Sequence, residues 1–321
     1  YIMLKQGLSG LRGGVCLLTG EKEIELALTR ALPCERVKLF EPMAKHTTLR
    51  VGGPARFFVQ PTTMEQLKSA LDIAREYELP VLIIGNGSNL LVKDGGYRGM
   101  VLSTLSLNRA VWNEDTVRVE AGLRLSTLAR EAAIRSLSGL EFAAGIPGTV
   151  GGAVYMNAGA YGGEMSQVVK RVWILDQAGT ERELSFEECG FSYRTSNIAK
   201  EKMLLVAAQF QLTAGAAPQI QEEMNRLMGL RKAKQPLDFP SAGSFFKRPP
   251  GDYAGRLIQA AGLLGTAEGG AEVSTLHANF LVNRGGATAQ DFLKLAQYVV
   301  ETVERKFGTR LQMEVQVVGE D

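Results

Sequence analysis

The chain has 321 residues, of which 45% are hydrophobic and 22% charged, a globular composition that excludes disordered, collagen-like and coiled-coil proteins. The net charge is +2 and no run of five like charges occurs, which excludes a nucleic-acid stripe and a polybasic membrane anchor. Glycine is abundant, with 36 residues, whereas only two histidines occur, which argues against a histidine-rich metal centre and Ser-His-Asp chemistry. At roughly 100–200 residues per domain, the length predicts two or three domains.

The cysteines and the N-terminal residues indicate the cellular compartment. Cys16, Cys34 and Cys189 are odd in number and form no C-x-x-C motif, so we expect free buried thiols, no disulfide framework and no metal site. The first residues lack a signal-peptide pattern, and no apolar run approaches the ~18 residues of a membrane span. We therefore expect a cytoplasmic protein without a membrane or nucleic-acid partner.

The first hundred residues predict a helix and then a strand–helix–strand arrangement that leads into a glycine loop. Residues 22–31 form the first helix and residues 55–59 the first strand. Thr62 and Glu65 have capping-box spacing for a helix that ends near residue 79. Residues 81–84 then form a short buried strand directly before the loop.

The remainder of the chain predicts an α+β fold. Strands are expected over residues 117–121, 168–175, 203–212 and 311–318. Helices are expected over residues 125–136, 220–234, 252–261 and 288–307, the last with Thr288 and Asp291 as its cap and Gly308 at its C-terminal end.

Two glycine-rich segments are candidate ligand sites. Residues 85–90, Gly-Asn-Gly-Ser-Asn-Leu, follow a buried strand, and their backbone N–H groups could converge on a phosphate. This loop is neither a Rossmann fingerprint nor a P-loop, and a plain tight turn is the alternative. Residues 144–153 and 157–163 suggest backbone lying against a flat or anionic ligand, with N–H groups directed at it; tight turns between short strands are the alternative.

Three side chains are candidates for the chemistry itself. Arg194 could clamp a carboxylate bidentately, although a surface arginine after a turn would look the same. Ser244 is flanked by aromatic residues and followed by two cations, and its hydroxyl could donate a proton to a strongly basic group. Glu314 interrupts an apolar strand and could face a cleft or solvent. His277 and His46 are interpreted as structural.

From about residue 45 to 319, these segments closely resemble the UDP-N-acetylenolpyruvoylglucosamine reductase (MurB) family. The matching stretches occur in the family's order, at residues 46–55, 85–90, 145–163, 193–196, 243–247 and 311–319. The resemblance implies a vanillyl-alcohol-oxidase-type fold, in which two α+β domains bind FAD and an α+β domain binds substrate. Its boundaries are expected at 1–21 (N-terminal extension), 22–104 and 105–214 (FAD domains) and 215–321 (substrate domain).

The resemblance also implies a reaction. The family transfers hydride from NADPH to FAD and from flavin N5 to the enolpyruvyl double bond, producing UDP-N-acetylmuramate for peptidoglycan. Arg194 matches the arginine that stabilises enolate-like charge, Ser244 the proton donor and Glu314 the assisting glutamate. We expect dissociable FAD, NADPH and a UDP-sugar as ligands, and a monomer.

The remaining site residues are what the resemblance implies. Residues expected to bind substrate are Tyr193, Lys234, Arg248 and His277. Residues expected to bind cofactor are Arg50, Gly85, Asn86, Gly87, Ser88, Asn89, Leu90, Gly145, Ile146, Pro147, Gly148, Gly152, Ala153, Asn157 and Gly159.

The sequence departs from the family pattern in two places. Arg248 stands where some members have asparagine, and Gln312 replaces an acid that is common two residues before the glutamate. The interval between Arg194 and Lys234 is too short for a tyrosine-bearing substrate loop, which indicates the short, type II class. Two alternatives stay open. One is another non-covalent FAD oxidoreductase of the same fold acting on a hydroxy acid or sugar alcohol, and the other is a catalytically silent flavin-binding protein.

Overall fold

The computed structural model describes residues 2–4 and 15–321, with side chains described from residue 20 onward. The helices are α1 (Val15–Ala31), α2 (Met64–Glu76), α3 (Leu125–Ile134), α4 (Val150–Tyr155), α5 (Phe186–Cys189), α6 (Asn197–Lys200), α7 (Ala217–Lys234), α8 (Ala254–Ala260) and α9 (Ala289–Phe307). The strands are β1 (Ile2–Leu4), β2 (Val37–Pro42), β3 (Pro54–Val59), β4 (Val81–Ile84), β5 (Leu90–Val92), β6 (Tyr97–Ser103), β7 (Ala110–Asn113), β8 (Thr116–Glu120), β9 (Leu137–Ser138), β10 (Gly159–Ala160), β11 (Gly163–Glu164), β12 (Val169–Leu175), β13 (Glu181–Ser185), β14 (Leu204–Gln211), β15 (Thr213–Ala214), β16 (Ser241–Ser244), β17 (Ala267–Glu268), β18 (Ala271–Val273), β19 (Phe280–Asn283) and β20 (Gln316–Val318).

The chain divides into two compact units. Unit 1 comprises residues 1–41, 56–86 and 99–228, and unit 2 comprises residues 42–55, 87–98 and 229–321. Two segments from the first hundred residues therefore belong to the same unit as the C-terminal third. The four segments expected from the sequence, and the three boundaries between them, stay a prediction.

Unit 1 contains two five-stranded sheets. The first has the strand order β1-β4-β6-β3-β2, in which β4 and β6 are parallel, with Val81 opposite Met100. The second has the order β13-β12-β14-β8-β7, and its neighbouring strands are antiparallel. Helices α1 and α2 contribute apolar side chains to the core beside the first sheet, including Leu28, Leu67 and Leu71.

Unit 2 is built on an antiparallel sheet of order β16-β19-β18-β17 and on the parallel pair β20-β5. Phe245 is fully buried and stacks on Phe292 of α9, with ring centroids 6.3 Å apart. Phe246, 1% exposed, tilts against Phe245. Because burying a phenylalanine stabilises a fold by about 1.5–3 kcal/mol, these two rings fix the backbone beside Ser244.

The structure confirms some of the local predictions and corrects others. Helix α9 is capped reciprocally by Thr288 and Asp291 and ends at Gly308, whose φ is +67°, as predicted. The α2 cap is Thr63 and not Thr62, because Thr63 accepts the Gln66 N–H while Thr62 donates to the Gln66 side chain.

Two further expectations and one alternative are wrong in part. The predicted C-terminal strand is confined to β20, so Glu314 lies before a strand and not within one. Residues 150–155 form α4 where tight turns were the alternative. Cys189 is buried, which raises its thiol pKa to about 12, but Cys34 is exposed, so the prediction of buried thiols fails there. The Cys16 side chain lies outside the described residues.

Candidate active site

The loop over residues 85–90 leaves the end of β4 and is anchored in unit 1 to the second glycine-rich segment. A Cβ atom on Gly85 would lie 2.3 Å from Thr149 Oγ1, so glycine is required for this close approach. The Asn86 Nδ2 donates to the Pro147 carbonyl oxygen at 3.0 Å. The structure therefore brings together two segments that the sequence predicts to bind one cofactor.

The same loop has consecutive unpaired backbone donors. The N–H groups of Gly85, Asn86, Gly87 and Ser88 donate to no other atom in the described part of the chain. Backbone amides that lack a protein acceptor are the groups with which a turn binds phosphate. These amides are free to bind a ligand, and phosphate binding by the loop stays a prediction.

Arg50 lies in a tight turn of unit 2 that contacts Gly87. The Arg50 N–H donates to the Thr47 carbonyl at 3.2 Å, and the Thr48 N–H donates to the Gly87 carbonyl at 3.3 Å. The Thr48 Oγ1 is buried and has no hydrogen-bond partner among the described residues. Because buried hydroxyls are nearly always paired, this orphaned atom indicates a place for a polar ligand group.

The second glycine-rich segment uses its amides differently from the prediction. At the start of α4, the N–H groups of Val150, Gly151 and Gly152 donate to Leu123 O, Ala121 O and Thr149 Oγ1 respectively. These amides are therefore not directed at a ligand, contrary to the expectation. A Cβ on Gly151 would lie 2.8 Å from Ala121 Cβ, whereas a Cβ on Gly152 would meet only Thr149 Oγ1, at 3.8 Å. Gly151 is thus required for packing, and Gly152 leaves room for a flat group.

Tyr193 and Arg194 are the central residues of a tight turn in unit 1. The turn is closed by two hydrogen bonds between Ser192 and Thr195, at 3.0 and 3.1 Å. Arg194 has a φ of +54°, a left-handed conformation that costs a non-glycine residue about 1 kcal/mol. Its Nη2 donates to the Gly159 carbonyl at 3.0 Å, and its guanidinium lies 5.2 Å from the Tyr193 ring centroid. The turn therefore holds the guanidinium in a defined orientation.

Asn157 supports this turn from inside unit 1. Asn157 is buried, with only 1% of its surface exposed. Its Nδ2 donates to the Ser192 carbonyl at 3.3 Å, and its Oδ1 accepts the Ser166 N–H at 3.0 Å. Both polar atoms of the side chain therefore have partners in the chain, and a cofactor-binding role for Asn157 stays a prediction.

Ser244 and Glu314 lie on neighbouring backbone segments of unit 2. Ser244 ends β16 and pairs with Phe280. The Glu314 N–H donates to the carbonyl of Phe245, the residue after Ser244, at 2.8 Å. Gly243 has a φ of +76°, so the residue before the serine needs the conformational freedom of glycine. The sequence placed both residues in one site, and the structure brings their main chains together.

Asn279 fixes the backbone next to Ser244. Its Oδ1 accepts the Phe246 N–H at 3.0 Å, and its Nδ2 donates to the Phe246 carbonyl at 2.9 Å. The Asn279 carbonyl also accepts the Phe245 N–H at 2.7 Å. Sequence reasoning missed this residue, because an asparagine between a histidine and an apolar strand has no distinctive pattern.

His277 lies in the turn before β19. Burial lowers the pKa of its imidazole, and Nδ1 accepts the Asn279 N–H at 3.2 Å, so the neutral ring carries its proton on Nε2. This geometry confirms a structural contact for His277 and leaves its substrate role as a prediction.

The predicted substrate-binding cations are both exposed. Arg248 lies 4.3 Å from the ring centroid of Tyr253, an exposed aromatic residue that the sequence did not single out. Lys234 is the last residue of α7. Each presents positive charge at the surface of its unit, which suits an anionic ligand.

In the described part of the chain, no cluster of three or more His, Cys, Asp or Glu side chains could hold a metal ion. Within residues 2–4 and 15–321, no helix combines the length and the apolar character needed to cross a membrane.

Comparisons with known proteins cover most of the chain. Residues 55–185 match the model of an FAD binding domain, and residues 235–318 match that of the UDP-N-acetylenolpyruvoylglucosamine reductase C-terminal domain. The UDP-N-acetylenolpyruvoylglucosamine reductase of Listeria innocua serovar 6a is 46% identical over 295 residues, which cover 92% of this chain and 99% of the relative. That of Staphylococcus aureus (strain Newman) is 43% identical over 93% of this chain and 97% of the relative.

A solved structure gives the same result at the level of the fold. The crystal structure of UDP-N-acetylenolpyruvylglucosamine reductase from Thermus caldophilus has a TM-score of 0.75 and 36% sequence identity. The match covers 88% of this chain and 97% of that structure. Together with the FAD-binding match, it confirms the predicted α+β flavoprotein fold class.

Proposed function

The chain belongs to the UDP-N-acetylenolpyruvoylglucosamine reductase family, and from this we propose that it reduces UDP-N-acetylenolpyruvoylglucosamine with Arg194, Ser244 and Glu314 as catalytic residues. It is an NADPH-dependent oxidoreductase with an FAD-binding domain, and its product is UDP-N-acetylmuramate, a precursor of peptidoglycan. Family membership confirms the resemblance found in the sequence. It also disfavours both alternatives, an oxidase of other substrates and a silent flavin-binding protein.

The residues present fit FAD. The unpaired amides of the loop over residues 85–88 suit a diphosphate. The open side of Gly152 leaves room for a ring. When bound, FAD supplies the hydride chemistry of the reaction, and the two glycine-rich segments would hold it.

Arg194 would stabilise the charge that develops during reduction. Hydride addition to an enol ether conjugated with a carboxylate leaves negative charge on the carboxylate side, and guanidinium binds a carboxylate bidentately. Preorganised charges of this kind are worth about 3–4 kcal/mol of transition-state stabilisation. The Gly159 hydrogen bond and the strained turn preorganise Arg194 before substrate arrives.

Ser244 would supply the proton that completes the reaction. A serine hydroxyl is a weak acid, but a carbanion next to an ether oxygen is basic enough to accept its proton. Glu314, whose N–H binds the neighbouring Phe245 carbonyl, would assist this transfer and reprotonation of the serine oxygen. Tyr193, Lys234, Arg248 and the neutral His277 would contact the remainder of the UDP-sugar.

The observation that carries the proposal is the contact between the Ser244 and Glu314 segments within a chain of this family, and half-reactions test it. NADPH should reduce the flavin of the purified protein, and anaerobic addition of UDP-N-acetylenolpyruvoylglucosamine should reoxidise it. The Ser244→Ala variant should keep reduction by NADPH and slow reoxidation by about 10²–10⁴-fold, the usual contribution of a positioned acid.

Ser241 provides a matched control, because it lies in the same strand, β16, and has no assigned role. The Ser241→Ala variant should retain both half-reactions. If Ser244→Ala slows both half-reactions equally, Ser244 is not the proton donor. If substrate leaves the wild-type flavin reduced, the proposed function is wrong.

We also propose a cytoplasmic monomer. Its predicted ligands, NADPH and a UDP-sugar, are cytoplasmic metabolites. Sedimentation at working concentration should give a mass near 34.8 kDa plus FAD, and a dimer mass would contradict this.

A further inference from the structure

Asn89 connects the glycine loop to the segment that bears Glu314. It is the fifth residue of the loop over residues 85–90, all of which the sequence predicts to bind cofactor. Yet its Nδ2 donates to the Glu314 carbonyl oxygen at 3.1 Å, and its own carbonyl accepts the Gln316 N–H at 3.0 Å. Asn89 therefore holds the segment at two points, immediately before the parallel pairing of β5 with β20.

The Glu314 main chain is held on its other side as well. Its N–H donates to the Phe245 carbonyl, next to Ser244, at 2.8 Å. The Glu314 carbonyl is thus bound by Asn89 and, in a longer bond of 3.4 Å, by the Gln316 side chain, while its amide donates to Phe245. A displacement of the segment would change the distance between the two groups that are assigned to proton transfer.

We propose that Asn89 is a positioning residue, which fixes Glu314 and, through the Phe245 contact, its placement relative to Ser244. The inference depends on the proposed function, since it concerns that reaction's proton transfer. A displacement of about 1 Å can slow a reaction about a hundredfold, so we expect loss of the Asn89 hydrogen bond to slow proton transfer.

The two asparagines of the loop have different partners. The Asn86 side chain donates to the Pro147 carbonyl, in the second glycine-rich segment, at 3.0 Å. The Asn89 side chain donates to the Glu314 carbonyl at 3.1 Å. One loop thus contacts the second glycine-rich segment through Asn86 and the Glu314 backbone through Asn89. Asn86 therefore offers a contrast variant with the same side chain and the same type of hydrogen bond.

The test compares Asn89→Ala and Asn89→Asp with Asn86→Ala and Asn108→Ala, all in the full-length protein loaded with FAD. The exposed Asn108 makes the same kind of bond, to Leu105 O at 3.2 Å, and has no assigned role. Hydrogen exchange over residues 312–318 measures how firmly the backbone around Glu314 is held, independently of activity. Stopped-flow half-reactions and the solvent deuterium isotope effect on reoxidation report proton transfer.

Both Asn89 variants should retain FAD and reduction by NADPH, because the hydrogen bond that they remove is the one to the Glu314 carbonyl. Their reoxidation should be slowed by at least about tenfold, with a larger solvent isotope effect and faster exchange over residues 312–318. Aspartate keeps the size of the side chain but has no donor for the Glu314 carbonyl, so Asn89→Asp should not rescue. Asn86→Ala should weaken FAD retention without changing exchange over 312–318, and Asn108→Ala should match wild type.

The proposal is overturned if Asn89→Ala reoxidises at the wild-type rate, or if exchange over 312–318 does not change. It is also overturned if Asn89→Ala only loses FAD, as expected of Asn86→Ala, because Asn89 would then act on the cofactor. Failure of the wild-type flavin to be reoxidised by the substrate would instead refute the proposed function, and the exchange data would still decide whether Asn89 holds Glu314.

Discussion

Replacement of Asn157 by alanine separates a supporting role from the cofactor-binding role expected from the sequence. The substitution removes the acceptor of the Ser166 N–H and the donor to the Ser192 carbonyl. It also places alanine at a φ of +46°, where asparagine is better tolerated. If Asn157 supports the Arg194 turn, stability and the second half-reaction should both decrease while FAD remains bound.

The magnitude follows from these contacts. A Ser166 amide without an acceptor costs about 1–2 kcal/mol, and loss of the longer bond to Ser192 costs about 0.5–1 kcal/mol. The left-handed backbone adds about 1 kcal/mol for alanine, so unfolding should become easier by about 3 kcal/mol. Asn157→Gly should recover about 1 kcal/mol of this, because glycine adopts positive φ without strain.

The assay combines urea unfolding with flavin content and half-reaction rates. Asn283→Ala is the matched control, since Asn283 is 7% exposed and binds Leu49 O, Gly285 N and Ala287 N in unit 2. It should lose comparable stability, whereas only Asn157→Ala should slow reoxidation, by about tenfold to a hundredfold, through displacement of Arg194. Loss of FAD from Asn157→Ala with unchanged stability would refute the reasoning and favour a cofactor contact.

Two further predictions concern unit 2. Asp94 accepts the Ala289 and Gln290 N–H groups at the start of α9, both at 2.9 Å. In urea titrations, Asp94→Ala should therefore lower the free energy of unfolding by about 1–2 kcal/mol, and an unchanged unfolding midpoint would contradict this. Burial lowers the pKa of His277 below its unfolded value near 6.5, so its contribution to stability is complete above that pH and is lost as the pH falls through the folded pKa. His277→Gln should flatten the acid side of the stability profile, and a profile identical to wild type would refute the assignment.

Local signals explain which elements could be predicted from the sequence. The cap of α9 uses Thr288 and Asp291, three residues apart, and its end uses Gly308, so both ends are encoded within one turn of chain. By contrast, α4 forms in a glycine-rich stretch of low helix propensity. It is stabilised by the Thr149 cap and by close packing of Gly151 on Ala121, a contact across thirty positions that no local pattern reveals.

In the candidate site, too, short motifs could be predicted from the sequence and long-range contacts could not. Arg194, Ser244 and Glu314 could be proposed as catalytic residues because their short motifs resemble a family, even though Glu314 was expected within a strand. The contacts that hold them could not be identified, because the Asn89–Glu314 bond joins residues 225 positions apart. The bond between Asn279 and Phe246 spans 33 positions and likewise depends on the folded sheet.

Asparagine is suited to these supporting contacts because its side chain stays neutral, whereas the proposed reaction develops negative charge. Asn157 and Asn279 each donate and accept through one side chain, and Asn89 donates to a carbonyl. Aspartate could not donate to a carbonyl, and its negative charge would repel the negative charge that Arg194 is proposed to stabilise. Histidine would change its charge near neutral pH. Because a carboxamide stays neutral, the pH dependence of reoxidation should arise from the reacting groups and not from the residues that position them.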